Sequence, residues 1–348
     1  MTTHIVIFLV SLIALAKGAD LFVEYSARIA KKLGVSDLVI GLTITSIGTS
    51  IPELASSISA SLNMAPELIV GNIVGSNIAN IGLILGLSAL FHSIRTDAKM
   101  HDRDGFIMIA STALFFLLVL NNNLSQLESW ILLTMYVFYL FFVVLSSVDQ
   151  RAYQFRDFMK FIFDFEYIEP VKKGLKKSIP LLKKKSEDAI SQEVPKATLF
   201  NPFILKDFLF VVGSGLLIII GAKYLIEEAL WVAQQFNIPE NVVGLTMIAV
   251  GTSLPELMVS ISAARKNKGG IVVGNIIGSN IANILFIGGV SGTITPLRVA
   301  EESVTYTIPI MLFFSLFLLY FVKTDWMVTR TQGLILLVTY IAFVVSAF

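Results

Sequence analysis

The sequence predicts an all-α polytopic membrane protein with about ten transmembrane helices in two inverted five-helix repeats. Three observations carry this. First, 55% of the 348 residues are hydrophobic and only 15% are charged, where a soluble domain carries roughly 25% charged residues. Several apolar runs reach about 20 residues, the length that crosses a bilayer as a helix. Second, one stretch occurs twice. Residues 41–86 hold GTSIPEL from Gly48 to Leu54 and GNIVGSNIAN from Gly71 to Asn80; residues 244–289 hold GTSLPEL from Gly251 to Leu257 and GNIIGSNIAN from Gly274 to Asn283. Glu53 and Glu256 are 203 positions apart, as are Asn80 and Asn283, and more than half of the aligned residues are identical without a gap. Third, the loop cations swap sides between equivalent loops.

The expected spans are 4–24, 38–62, 68–92, 104–121 and 128–147, then 206–234, 241–264, 270–294, 303–322 and 331–347. The first half is 1–148, a charged linker is 149–205 and the second half is 206–348. Five spans per half is an odd number, so the second half enters the membrane upside down. The charges agree. Arg28, Lys31 and Lys32 follow span 1, whereas the aligned positions after span 6 are Trp231, Gln234 and Gln235. The loop after span 2 has no cation, whereas Arg265, Lys266 and Lys268 follow span 7. Arg95, Lys99 and Arg103, the linker, and Lys323 with Arg330 fall on the same side, which the positive-inside rule makes cytoplasmic. Both termini are then outside, in the plasma membrane; Arg298 is the weak exception. The apolar run from Ile5 to Ala16 has no basic residue before it, unlike a cleaved signal peptide, and reads as a retained first helix.

The net charge of +1 says nothing about partners and no nucleic acid is expected; the absence of cysteine excludes disulfides, thiol catalysis and thiolate metal sites. The linker is rich in Lys, including Lys172, Lys173 and Lys183–Lys185, partly offset by acids such as Asp157 and Glu187. Phe155, Phe158, Ile162 and Phe165 recur at helical spacing, which reads as an amphipathic helix on the inner leaflet; a solvated linker is the plainer alternative. The segment is too short for a β-sandwich regulatory domain.

Pro52 and Pro255 cannot donate to the carbonyls of Gly48 and Gly251, four residues back, so spans 2 and 7 should kink or break near their centres. Carbonyls freed at membrane depth must face protein or a water-filled cavity, and they are good ligands for hard cations. A simple proline kink is the alternative. Glu53 and Glu256 follow directly, each four residues after Thr49 or Thr252 on one helix face. A carboxylate at the bilayer centre costs roughly 2.5–3.5 kcal/mol even on lenient insertion scales, and neither motif offers it a Lys or Arg. Two such acids meeting at a repeat interface call for a cation; protonated structural acids are the alternative. Asn72, Ser76 and Asn80 form an i, i+4, i+8 stripe on span 3, repeated by Asn275, Ser279 and Asn283 on span 8. Ligand roles suit Ser76, Asn80, Ser279 and Asn283. For Asn72, Asn275, Asn77 and Asn280, interhelical hydrogen bonding serves equally well. Gly71 and Gly75, and Gly274 and Gly278, are GxxxG faces.

The ligand set is all oxygen and His4, His92 and His101 lie away from it. Ca²⁺ or Na⁺ fits; zinc and copper do not. A site that must hold one ion or the other couples their movements, because the empty di-anionic site is costly to carry across. A channel would line its pore with rings of identical residues, and an enzyme would need a base and nucleophile beside the acids; neither pattern is present, and no cofactor is called for. A monomer can suffice.

At these residues the sequence resembles the cation/Ca²⁺ exchanger superfamily, in its prokaryotic Na⁺/Ca²⁺ exchanger branch. The paired GTS-x-PE and GN-x-x-GSN-x-x-N motifs are similar to that family's two α-repeats. The resemblance implies a ten-helix Na⁺/Ca²⁺ antiporter in which Glu53 and Glu256 are the central Ca²⁺ ligands. It implies that Thr49 and Thr252 lend carbonyl and hydroxyl oxygens, that Ser46 and Ala249 lend carbonyls to Na⁺, and that Ser76 and Ser279 are Na⁺ ligands. It also implies that spans 1 and 6 slide across the other eight, which Gly18 and Gly221 would suit. Some relatives, including K⁺-dependent exchangers, have Asp at the position of Asn283; here Asn80 and Asn283 are both amides, so exchange is expected without K⁺. Proton-coupled exchange, or exchange of another divalent ion such as Mn²⁺ or Mg²⁺, is the runner-up.

Overall fold

The computed structural model describes residues 2–62, 66–148, 153–163, 202–235 and 251–346. Ala249, the first half of the expected span 241–264, and most of the linker lie outside them. The described residues form twelve helices. In order they are α1 (Thr2–Leu33), α2 (Asp37–Thr49), α3 (Ile51–Leu62), α4 (Leu68–Phe91), α5 (residues 100–118), α6 (Gln126–Val148), α7 (Phe155–Phe163), α8 (Pro202–Gln235), α9 (Leu254–Arg265), α10 (Gly269–Ile294), α11 (Ser303–Lys323) and α12 (Arg330–Ser346). Six of them are long and apolar enough to cross a membrane, and the bent pair α2–α3 makes a seventh. The remaining expected spans correspond to α5, α12 and α9, of which α12 has 17 residues. α9 has 12 residues and continues the segment whose first half is not described.

Four two-residue strands decide how the halves are related: β1 (Ile94–Arg95), β2 (Asn123–Leu124), β3 (Leu297–Arg298) and β4 (Met327–Val328). β1 pairs antiparallel with β4, and β2 with β3. One membrane-length helix, α5, separates β1 from β2, so the two pairs cap opposite ends of the molecule. β1 and β3 are equivalent in the repeat, yet they sit at opposite ends. The halves are therefore inverted, as the loop charges require.

α4 and α10 form the centre. In their apolar stretches 72% and 89% of residues are buried. α2 lies against α10 so closely that side chains are excluded from the crossing. A Cβ on Gly274 would lie 2.6 Å from the Leu38 carbonyl oxygen and 2.9 Å from Gly41 Cα. Gly71 and Gly75, the equivalent face of α4, meet no described atom; the repeat partners of Gly41 and Ser46, Gly244 and Ala249, are outside the described residues.

α1 and α8 run together along their length on the flank. With 32 residues α1 reaches roughly 48 Å, against a hydrocarbon core of about 30 Å, so it tilts or protrudes. The pair is pinned at both ends: His4 Nδ1 lies 2.8 Å from Glu228 Oε2, and Lys32 Nζ donates to Asp207 Oδ2 at 2.6 Å. Gly18 meets α8 at Ile218, and Gly221 meets the α1 backbone at Leu15. The outer faces stay apolar, with Ile13 and Leu209 both 61% exposed. Such continuous apolar surface belongs in lipid.

The linker helix α7 differs from the expectation. Its apolar stripe turns to protein, where Phe158 and Phe161 are buried against Phe142 of α6, at ring-centre distances of 5.2 and 5.8 Å. That face is covered by aromatic side chains of α6. Phe165 lies outside the described residues. Near α7, within a π-helical turn over Met100–Gly105, the Arg103 guanidinium grips Asp104 at 2.8 and 3.0 Å and Ser146 Oγ at 2.8 Å. Arg103 is 3% exposed and Asp104 0%.

Candidate cation site

The two GTS-x-PE motifs break their helices in the same way. Ser50, which separates α2 from α3, has φ −84° and ψ 9°; Ser253, which precedes α9, has φ −87° and ψ 4°. The axes of α2 and α3 differ by 45°. The break follows from Pro52 and Pro255, which supply no N–H to the preceding turn. Its consequence is that each new helix begins with Glu53 or Glu256 in its first turn. The amide end of a helix favours a carboxylate there, and both acids are 1% exposed.

The acids are held across the repeat. Ser253 Oγ donates to Glu53 Oε1 at 3.2 Å, and Ser50 Oγ donates to Glu256 Oε1 at 3.0 Å. Ser50 and Ser253 were not expected at the site. The signal was in the repeat, since each stands three residues before the acid of its own motif. Same-helix spacing, however, does not reveal that it serves the acid of the other. The second carboxylate oxygens, Glu53 Oε2 and Glu256 Oε2, are buried and have no hydrogen-bond partner among the described residues.

The four amides of the GSN-x-x-N segments form one network between α4 and α10. Asn77 Nδ2 donates to the Asn280 carbonyl at 3.3 Å, and Asn280 Nδ2 to the Asn77 carbonyl at 3.5 Å. Those backbone acceptors fix which end of each amide is nitrogen. Asn77 Oδ1 is then left to accept from Asn283 Nδ2 at 3.0 Å, and Asn280 Oδ1 accepts from Asn80 Nδ2 at 2.9 Å. Asn80 Oδ1 and Asn283 Oδ1 remain, both buried and both without a partner among the described residues. Asn77 and Asn280 thus act as interhelical hydrogen-bonders that aim the other two. A π-helical turn starts at Asn80 and another encloses Asn283, a distortion common at functional sites.

The other expected residues lie around this centre. Ser46 is fully buried, and its carbonyl is 3.5 Å from Ser279 Oγ, which also lies 3.1 Å from Ser50 Oγ. Thr49 Oγ1 donates back to the Thr45 carbonyl at 3.1 Å and stands 3.1 Å from Asn275 Oδ1. Asn275 and Asn72 each donate to a serine, Ser260 and Ser57, at 3.1 Å. Ser76 Oγ is buried without a partner among the described residues, and Thr252 stands beside Glu53. Ala249 falls outside the described residues. None of these groups is a base or nucleophile set for a reaction. What the arrangement offers is a buried cluster of oxygen acceptors with two carboxylates. Among the described residues no group of three or more His, Cys, Asp or Glu is placed to hold a metal ion, so a cation here would rest on two carboxylates and neutral oxygens.

Comparison with known proteins agrees with this geometry. The sequence model of the family described as "Sodium/calcium exchanger protein" matches residues 3–145 and 206–348, one match to each half. A sodium/calcium exchanger of Methanosarcina acetivorans, MaX1, is 44% identical over 349 residues, covering 100% of this chain and 99% of the relative. A membrane protein of Methanocaldococcus jannaschii, MJ0091, is 32% identical over 97% of this chain and 96% of its own. A solved structure of the sodium-calcium exchanger NCX_Mj superposes with a TM-score of 0.78 at 30% identity, covering 99% of both chains. The chain belongs to the sodium/calcium exchanger family.

Proposed function

We propose that the protein is a Na⁺/Ca²⁺ antiporter that carries both ions through one site between Glu53 and Glu256, by alternating access and without K⁺. One observation carries the reading. Four buried oxygens related by the repeat, on Glu53, Glu256, Asn80 and Asn283, have no hydrogen-bond partner among the described residues. Buried acceptors left unmatched cost about 1–3 kcal/mol each, more when charged, and the cost is removed by a cation. Ca²⁺ takes six to eight oxygens and tolerates irregular geometry. Two carboxylates balance its charge; Na⁺ ions balance them equally well. Thr49, Thr252, Ser46, Ala249, Ser76 and Ser279 complete the proposed ligand set. With no ion bound, the two acids would have to cross the membrane uncompensated, so movement of the empty site is disfavoured and the two fluxes are coupled. The pair of amides at Asn80 and Asn283 holds the charge at two carboxylates, which supports independence from K⁺.

The repeats divide the chain at 149–205, which lies in the cytoplasm of a plasma-membrane protein whose ten spans leave both termini outside. Lys32, Arg95 and Lys268 support that orientation by their common end. Lys32 binds Asp207 at the start of α8, Lys268 binds Asp37 at 3.1 Å, and Gly269 abuts the Arg95 backbone. One chain contains the whole site.

The test is ⁴⁵Ca²⁺ uptake into proteoliposomes loaded with Na⁺. Uptake is expected to follow the outward Na⁺ gradient, to ignore a pH gradient, and to be unchanged by K⁺ on either side. Uptake driven by pH alone, or a strict need for K⁺, would overturn the reading.

A further inference from the structure

The network that aims Asn80 and Asn283 does not end at the asparagines. An amide nitrogen carries two hydrogens. In Asn77 and Asn280 one of them goes to the carbonyl of the facing asparagine. The other goes to sulfur: Asn77 Nδ2 lies 3.4 Å from Met311 Sδ, and Asn280 Nδ2 lies 3.6 Å from Met108 Sδ. Both methionines are 0% exposed. They stand 203 positions apart, the offset of the repeat. They arrive crosswise, because α5 packs on α10 and α11 packs on α4. A thioether sulfur accepts hydrogen bonds and cannot donate one. Turning either amide over would set its oxygen against a carbonyl oxygen and a sulfur, with no hydrogen between them. Sulfur and carbonyl together therefore hold the nitrogen in place. Oδ1 of Asn77 then stays turned to Asn283 Nδ2, and Oδ1 of Asn280 to Asn80 Nδ2. Two relays result, Met311–Asn77–Asn283 and Met108–Asn280–Asn80. Each methionine acts on the asparagine of its own repeat half through an amide of the other half.

We propose that Met108 and Met311 are positioning residues of the cation site. By accepting from Asn280 and Asn77 they keep the oxygen, and not the nitrogen, of Asn80 and Asn283 turned to the ion. The assignment rests on the reading of those two oxygens as ligands. Without the sulfur, one amide hydrogen is unmatched and the competing orientation is less disfavoured, so the ion must impose the order when it binds. Loss of either sulfur should lower Ca²⁺ affinity roughly two- to tenfold, the scale of one neutral hydrogen bond.

Met108→Leu and Met311→Leu conserve volume and remove the acceptor; Met311→Gln returns an acceptor oxygen. Equilibrium ⁴⁵Ca²⁺ binding and the ion-free Tm are measured on the purified full chain. Each Leu variant should bind Ca²⁺ two- to tenfold more weakly with little change in ion-free Tm, and Met311→Gln should recover most of the affinity. The relays also set which effects overlap. In an Asn283→Ala background Met311→Leu should have no further effect, whereas Met108→Leu should keep its own. Four results would overturn the assignment: parental affinity in the Leu variants, Leu variants too unstable to purify, Leu and Gln variants weakened alike, or a Met311→Leu effect that persists undiminished in Asn283→Ala. Parental Ca²⁺ binding in Asn80→Ala and Asn283→Ala would remove both oxygens from the site and take the assignment with it. Weakened binding in those two alongside parental binding in both Leu variants would reject the methionines alone and leave the exchanger reading standing.

Discussion

Glu53→Gln and Glu256→Gln are each expected to abolish Na⁺-driven ⁴⁵Ca²⁺ flux, by at least about 100-fold, while the protein still inserts and elutes as a single species. Glutamine keeps the shape of the side chain and can still accept the hydroxyl of Ser253 or Ser50. What it removes is one of two charges that would face a divalent ion in a buried site. That loss is worth about 3 kcal/mol or more even at an effective dielectric constant near 20, and each 1.4 kcal/mol is tenfold in affinity. The two variants should be comparably severe, because each acid has the same geometry and the same kind of cross-repeat hydroxyl. Parental flux in either would return that acid to a structural role.

The largest effect on stability is expected at Arg103. Arg103→Met leaves the Asp104 carboxylate fully buried with its guanidinium partner gone. Removing one member of a buried ion pair costs about 3–5 kcal/mol, whereas replacing both by apolar residues of similar size is close to neutral. The single variant should therefore lower the Tm of the detergent-solubilised protein sharply, and Arg103→Met with Asp104→Leu should recover most of the loss. Equal destabilisation in the single and double variants would mean that the pair itself, rather than the stranded charge, holds α5 to α6 at Ser146.

Much of this architecture was legible in the residues, for physical reasons that can be named. Pro52 and Pro255 announce broken helices because a missing N–H acts locally. The two acids mark a candidate site because lipid punishes a lone carboxylate. The inversion was legible because cations stay on one face of a membrane, and the pairing of β1 with β4 and β2 with β3 follows it. Long-range geometry was not legible. Spacing along one helix puts Thr49 beside Glu53, but Ser50 reaches Glu256 of the other repeat. The sequence favoured Asn80 as a ligand and left Asn77 open; it could not say what Asn77 binds, which is the Asn280 carbonyl, nor that Asn80 Oδ1 is left without a partner among the described residues. The helical period of Phe155, Phe158 and Ile162 gave the helix but could not say whether lipid or α6 would cover it. Phe142 decided that.

The central claim is that Na⁺ and Ca²⁺ compete for one site between the two acids. Equilibrium binding of ⁴⁵Ca²⁺ to the purified protein, titrated with Na⁺, tests it most directly. The account predicts one Ca²⁺ per chain, a Ca²⁺ affinity that falls steeply and competitively as Na⁺ rises, and no binding in Glu53→Gln or Glu256→Gln. Ca²⁺ binding that ignores Na⁺, or that persists undiminished in both variants, would contradict it.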